Sequence, residues 1–528
     1  VPALFDLLAS EDDDVAKASE RALVRVPERA GAEAIRRFPD AVPPLRSRLC
    51  ALVGRIAAAA PDPELTRFLL ERLDDRDAKT RRRAILALSR VQGDPRVEPA
   101  LLAAWDAGRD LPEQRALATA LGNVGGEAAL ARLAGSHALD PELERIAREA
   151  RLKIERARVR REHTVIDLGR APAAPVTVLL HVRSGLEDVL VGELPRSLHP
   201  QVSGRGRVRV TLGEPLAALY RARTFLHLGF PLPAESVRGD DSVDAVVRAL
   251  TSEPARAIFE TFTRGAVRYR IEWASAGRRR SATFRVAERV ARVRPELVND
   301  PTGAPWEAVV TERPGARGPS VYVELWPRVL EDPRFSYRRR VLPASSHPTI
   351  AAALVRLGGT DATDVVWDPF VGAGTELVER ARLGPYAKLF GSDTDARALE
   401  AARENLGAAK VDRFALARGD ARAWRPAEPV SLVVTNPPLG RRVLHESALR
   451  PLFEAVFANV TRATRADARM VFVSPLPEAT SEMARAHGWD VRLRKVVDLG
   501  GLSGEIQLLV RSGRGLHPRP TAKTARHR

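Results

Sequence analysis

The chain has 528 residues, 45% hydrophobic and 29% charged, the balance of a globular protein with room for roughly three or four domains. Arginines interrupt its apolar runs well short of a bilayer's thickness, and a single cysteine, Cys50, excludes an internal disulfide or a thiolate metal cage. With 84 Lys+Arg against 67 Asp+Glu, the formal charge is +17, which suits a polyanionic partner, although coding composition also produces such an arginine- and alanine-rich skew. No basic-then-apolar leader opens the sequence, so the expected location is the cytoplasm.

Residues 1–160 repeat themselves. From Asp77 to Leu88 an acidic entry precedes apolar residues spaced on one helical face, and related patterns run over Asp14–Val24, Leu45–Val53, Pro112–Val124 and Glu142–Ile154. The spacing of roughly 35 residues predicts stacked helix pairs, an α-solenoid, with alanine at the inner positions. Gly54, Gly93 and Gly122 are read as helix ends. The pattern resembles HEAT-type repeats, and its expected use is either as a docking surface for protein or RNA or as a brace for the catalytic part of the chain.

A polar, proline-containing link is expected over 161–175. In residues 176–335 the period changes. Val176–Val182 reads as a strand and Gly185–Leu194 as a helix, followed by strands at Arg207–Leu212, Ala266–Trp273 and Val321–Leu325, a small α+β region. Residues 336–511 alternate strand, turn and helix in the doubly wound α/β manner. The last stretch, 512–528, is too basic and polar to pack.

Chemistry concentrates between Asp368 and Gly440. A buried strand runs into Asp368, Pro369 and Phe370, then Gly372, Gly374 and Thr375 before a helix; the two glycines let backbone and helix N-terminus approach a ligand. No Lys-Ser/Thr pair comes after them, which excludes a nucleotide P-loop. A second strand ends at Asp393, placed to hold the hydroxyls of a ribose. Asp420 is placed to meet an adenine amine. A third strand ends in Asn436, Pro437 and Pro438, where the Asn oxygen and the Pro437 carbonyl can accept the hydrogens of a conjugated amine on a backbone stiffened by proline. Each residue taken singly can also be a helix cap or a turn. Their succession at strand ends favours a site for S-adenosylmethionine and an amine acceptor, with no metal.

At these residues the chain resembles the THUMP-domain RNA methyltransferases that make N2-methylguanosine in tRNA or ribosomal RNA. The resemblance rests on Asp368 to Thr375, Gly391 to Asp393 and Asn436 to Gly440, and less specifically on Ser184 to Glu187 with Glu193 and Leu194. It implies a C-terminal Rossmann-like class I methyltransferase and a central ferredoxin-like and THUMP region that grips RNA, tRNA favoured. It also implies that the stretch containing Ser346 and His347 lines the methionine end of the cofactor. Arg278, Arg279, Arg280, Arg285, Arg289 and Arg292 are the expected phosphate partners in the THUMP part, the alternative being a solvated basic face. Leu439 stands where the family has an aromatic ring that packs the target base, so stacking is weaker unless Phe370 or another side chain supplies it. Two alternatives remain at this point: transfer to adenine N6 or an amide nitrogen, and an RNA-binding scaffold whose catalytic domain has decayed.

Overall fold

The computed structural model describes all residues except 109, 135–139, 238–241, 275–278, 315–317, 329–331, 344, 439–445 and 513–528. Arg278, Leu439, Gly440 and the basic tail beyond Ser512 therefore lie outside the described residues. The chain divides into two compact units, Val1–His163 and Thr164–Arg528. Among the described residues no helix is long and apolar enough to cross a membrane.

Among its described residues the first unit contains helices and turns and no strand. Its longer helices are Pro43–Ala59, Ala78–Leu88, Leu111–Val124 and Pro141–Arg161, each packed on the next, with shorter helices layered beside them. Asp12, Asp62, Asp77, Asp110 and Asp140 open five helices, each accepting a backbone N–H of the first turn at 2.7–2.9 Å. This satisfies donors that a helix start leaves orphaned and is the physical content of the acidic entries in the sequence. Leu49, Val53, Ile56, Leu69, Ile85, Leu88, Leu117 and Leu121 form the dry interior. Two glycines differ from expectation. Gly54 and Gly122 sit inside helices, where a Cβ would lie 2.5 Å from the Ala87 Cβ and 2.7 Å from the Ala150 Cα respectively. They are contact points that let neighbouring helix backbones touch; only Gly93, at φ +80°, terminates a turn.

The second unit holds two large sheets. In the first, strands run in the spatial order Gln201–Gly204, Arg207–Leu212, Val176–Val182, Phe225–Pro231, Ser320–Pro327, Trp306–Arg313, Arg268–Trp273, Val298–Asn299, with Glu235–Ser236 paired to Ser320–Pro327. The stretch expected to be a link contributes a short strand instead. Val165–Ile166 pairs antiparallel with Thr263–Arg264, a partner nearly a hundred residues away that no local pattern announces.

The second sheet has seven strands in the order Phe414–Arg418, Lys388–Asp393, Val365–Asp368, Val430–Thr435, Thr464–Ser474, Ser503–Arg511, Trp489–Asp498. The first five are parallel and the last two turn antiparallel. Val430–Thr435 is buried along its whole length, as a strand covered on both faces must be. The strand order reverses on either side of Val365–Asp368, the place where an open α/β sheet leaves a crevice at its carboxyl edge. One continuous core joins the two sheets, and Arg223 pins them together. Its guanidinium donates to the buried Glu379 at 2.5 and 2.9 Å, beside a 2.7 Å bond from the Tyr337 hydroxyl.

Candidate active site

Three strand ends meet at the crevice. Asp368, wholly buried, closes the strand Val365–Asp368; its Oδ1 accepts from the Phe370 backbone N–H at 3.0 Å and from the Thr435 hydroxyl at 2.7 Å. The second bond ties the glycine-bearing turn to the strand that delivers Asn436. Gly372 (φ +49°) and Gly374 (φ +77°) take backbone conformations that side chains rarely adopt. A Cβ on Gly374 would press on Ala402 at 3.2 Å, whereas one on Gly372 would meet nothing nearer than a carbonyl at 3.9 Å. Gly374 closes helix packing; Gly372 leaves an open face for a ligand. Thr375 begins the helix Thr375–Leu383.

Asp393 reaches the same turn. Its Oδ2 accepts from the Gly372 N–H and its Oδ1 from the Asp395 N–H, both at 3.0 Å. Asp395, not Asp393, caps the next helix, which leaves Asp393 half-buried at the crevice. Behind the turn, the buried Asn405 donates to the Ala373 carbonyl at 2.9 Å.

Electrostatically the crevice is unusual. Glu376, in the first turn of the helix, is 3% exposed and has an unpartnered Oε1; Asp368 has an unpartnered Oδ2. Burial pushes the Glu376 carboxyl up to about 7, with the neighbouring Glu379 charge adding to the rise against the Ser346 hydroxyl and Arg338. Burial, then the charge of Glu376, pushes Asp368 well above the usual carboxylate range. Two buried acids with no ion-pair partner among the described residues are costly, and a donor-bearing, positively charged ligand relieves that cost.

Asn436 sits beside them. Its Nδ2 donates to the Ser346 hydroxyl at 2.9 Å, while its buried Oδ1 has no partner. The Ser346 hydroxyl, which also lies against Glu376, accepts from the amide N–H. The amide is thereby turned with its oxygen free. Pro437 is buried and Pro438 half-buried behind it.

Other expected residues are placed differently. His347 caps the helix Pro348–Gly358, its Nδ1 accepting from the Thr349 N–H at 3.4 Å and lying 2.8 Å from its hydroxyl; burial lowers the imidazole to about 4, so it is neutral. Asp420 closes a turn onto Arg422, with Nη2 at 2.6 Å, which holds its carboxyl below the usual range. Phe370 is half-buried at the turn. In the first sheet's region, Arg279 pairs with Glu312 at 2.6 Å and lies over Trp273, Arg289 pairs with Asp244, and Arg292 pairs with Glu288 at 2.6 Å. Arg280 and Arg285 are exposed on the helix Arg280–Val293.

Sequence reasoning missed Glu376, Thr435 and Asn405. An acid in a first helical turn is ordinary, and only the fold shows that this one is buried against another carboxyl.

Residues 336–504 match the model of the UPF0020 family, described as an RMKL-like methyltransferase domain. This segment is a methyltransferase domain. Residues 66–153 match HEAT repeats. The chain is 28% identical over 348 residues to the tRNA (guanine(6)-N2)-methyltransferase of Thermus thermophilus, covering 62% of this chain and 96% of that protein. It is 40% identical over 98 residues to the tRNA (guanine(10)-N2)-dimethyltransferase of Methanothermobacter thermautotrophicus, a match spanning 19% of this chain and only 29% of that relative. The crystal structure of TrmN from Thermus thermophilus shares the fold at a TM-score of 0.52 and 24% identity, covering 63% of this chain and 99% of that one.

The methyl donor of the methyltransferase domain is S-adenosylmethionine. The residues present fit it: the orphaned Asp368 and Glu376 oxygens suit a ligand bearing an ammonium and a sulfonium, and Gly372 leaves room for it.

Proposed function

We propose that the protein forms N2-methylguanosine in tRNA. The observation that carries this reading is the Asn436 amide at the end of its strand, held through Nδ2 by Ser346 with a buried Oδ1 left unpartnered. An exocyclic guanine amine is a poor nucleophile because its lone pair is spread into the ring. Accepting its hydrogens at Asn436 Oδ1 and at the Pro437 carbonyl localises that lone pair, and the two prolines fix the acceptors before the base arrives. The acceptor base must be flipped from its stack to reach them. When bound, S-adenosylmethionine supplies an electrophilic methyl group. Asp393 holds its ribose hydroxyls, Asp420 its adenine amine through lone pairs left over from Arg422, and the turn Asp368 to Thr375, with Phe370, its methionine end. Ser346 acts on Asn436, and His347 fixes the helix that carries this loop.

The choice of guanine N2 and of tRNA draws on the activities named for the Thermus and Methanothermobacter relatives. Within residues 176–335 the four strands Val176–Val182, Gln201–Gly204, Arg207–Leu212 and Phe225–Pro231 stand in the spatial order 2-3-1-4. That order supports a ferredoxin-like part, with the THUMP part after it gripping RNA. There Arg280 and Arg285 lie on the exposed face, and the exposed pairs of Arg289 and Arg292 are of the weakly stabilising surface kind that phosphate can displace, whereas Arg279 is held part-buried by Glu312 and Trp273.

Labelled S-adenosylmethionine incubated with unmodified tRNA transcripts, with subsequent digestion to nucleosides, tests the reading. Labelled N2-methylguanosine is expected. Labelled N6-methyladenosine, or a fully active Asn436→Ala variant, overturns it.

A further inference from the structure

The helical unit carries a groove that the methyl-transfer reading leaves unused. It has a volume of about 490 Å³ and is lined by residues of the helices Ala78–Leu88 and Leu111–Val124, with Ile146 from the next. A second hollow of about 290 Å³ shares Arg83, Leu86 and Thr119 with it and extends to Arg90 and Asn123. The two form one trough across successive helices of the same layer.

Its lining has one sign. Lys79, Arg82, Arg83 and Arg90 lie along it, together with Arg115, and no carboxylate lines either hollow. Several arginines of this unit are matched by acids: Arg81 pairs with Glu113, Arg96 with Asp94, Arg132 with Asp106 and, at the trough itself, Arg115 with Asp140. Among the described residues no acid pairs with Lys79, Arg82, Arg83 or Arg90. The sequence puts three of the four on one helix, where Lys79 and Arg83 are one turn apart with Arg82 beside them. Like charges at that spacing repel and cost stability, so their use lies in an outside partner. Thr119 and Asn123 add neutral polar side chains, and the apolar part of the lining comes from Leu86, Ile146, small residues such as Ala87 and Ala116, and the stems of the basic side chains. A protein partner would call for aromatic anchor positions, and among the described residues no aromatic one lines either hollow; a cationic trough without acid suits a phosphodiester backbone.

We infer that this trough binds the sugar-phosphate backbone of RNA through Lys79, Arg82, Arg83 and Arg90, giving the protein a second RNA contact apart from its methyltransferase half. The contact positions RNA and carries no base specificity, because charge on phosphate does not read sequence.

The test uses the full chain and a fluorescently labelled unmodified tRNA, with binding measured by anisotropy over a range of salt. Arg82→Ala/Arg83→Ala is expected to weaken binding on the order of tenfold near physiological salt and to lower the slope of log K against log salt by about 1.5–2. Arg82→Lys/Arg83→Lys is expected to restore the slope, and Arg67→Ala, removing an arginine paired with Glu64, to change neither. All variants are first checked for the melting temperature of the parent. Wild-type affinity and slope in the double alanine variant overturn the inference. So does an equal loss in Arg67→Ala, or displacement of RNA by polyglutamate at lower concentration than by polyuridylate, which would mark an acidic protein as the occupant. Because the readout is binding, it stands whether or not methyl transfer to guanine is found.

Discussion

The helical unit and the methyltransferase crevice handle buried acid in opposite ways. In the helical unit Glu113, its side chain 1% exposed, receives Arg81 at 2.5 Å, and Asp75 faces Arg46 at 3.5 Å, so each buried charge has a counter-charge. In the crevice Asp368 and Glu376 face each other, and Asn436 leaves an oxygen bare. A buried pair offsets its own desolvation, whereas unpaired acceptors store a cost that only a ligand can relieve. The difference separates buried acids that the fold itself satisfies from buried acids that await a ligand.

That contrast predicts which changes harm function and which harm stability. The largest effect belongs to Asn436→Ala, which is expected to lower kcat for methyl transfer by on the order of 10²–10³-fold while calorimetry finds S-adenosylmethionine binding unchanged. A parallel loss of cofactor affinity would mean that Asn436 serves the cofactor and not the acceptor.

Next in size is a gain. Glu376 keeps its proton in the folded state up to about 7 against 4.5 for the free group. The folded chain thus holds more protons than the unfolded one in that window, and stability present below about 4.5 is lost as pH rises through about 7. Without cofactor, Glu376→Gln should therefore be more stable than the parent at pH 8, by on the order of 3 kcal/mol, and indistinguishable at pH 4.5. Denaturant melts at the two pH values decide it. A destabilised variant at pH 8 would mean that the carboxylate has a cationic partner.

In the helical unit the sign reverses. Gly122→Val forces a side chain into the Ala150 backbone and should cost about 1–3 kcal/mol, leaving cofactor affinity untouched. Smallest is Asp77→Ala, which removes the cap on the Thr80 N–H and the bond from its hydroxyl, for about 1 kcal/mol in thermal denaturation. Loss of cofactor binding in either variant would break the separation of roles.

Much of this was legible in the sequence because its signals are local. Asp77 before a helical run, Gly372 and Gly374 between strand and helix, and Asn436 with two prolines at a strand's end each declare a backbone geometry within a few residues. Gly54 and Gly122 read as helix ends because a glycine says only that a Cβ is unwelcome. Whether a turn or a neighbouring helix excludes it depends on a contact more than twenty residues away. The strand Val165–Ile166 is hidden for the same reason.

The sequence by itself determined the repeating helices, the α/β order of the second half, the glycine-bearing turn and the Asn-Pro-Pro loop, since each arises from short-range periodicity and backbone restriction. Only the tertiary structure decided that Thr435 bonds Asp368, that Ser346 turns the Asn436 amide, that Glu376 is buried unpaired, and that Lys79, Arg82, Arg83 and Arg90 share one trough without an acid. Those facts depend on desolvation and on charge across space, quantities that exist only once distant segments have packed together.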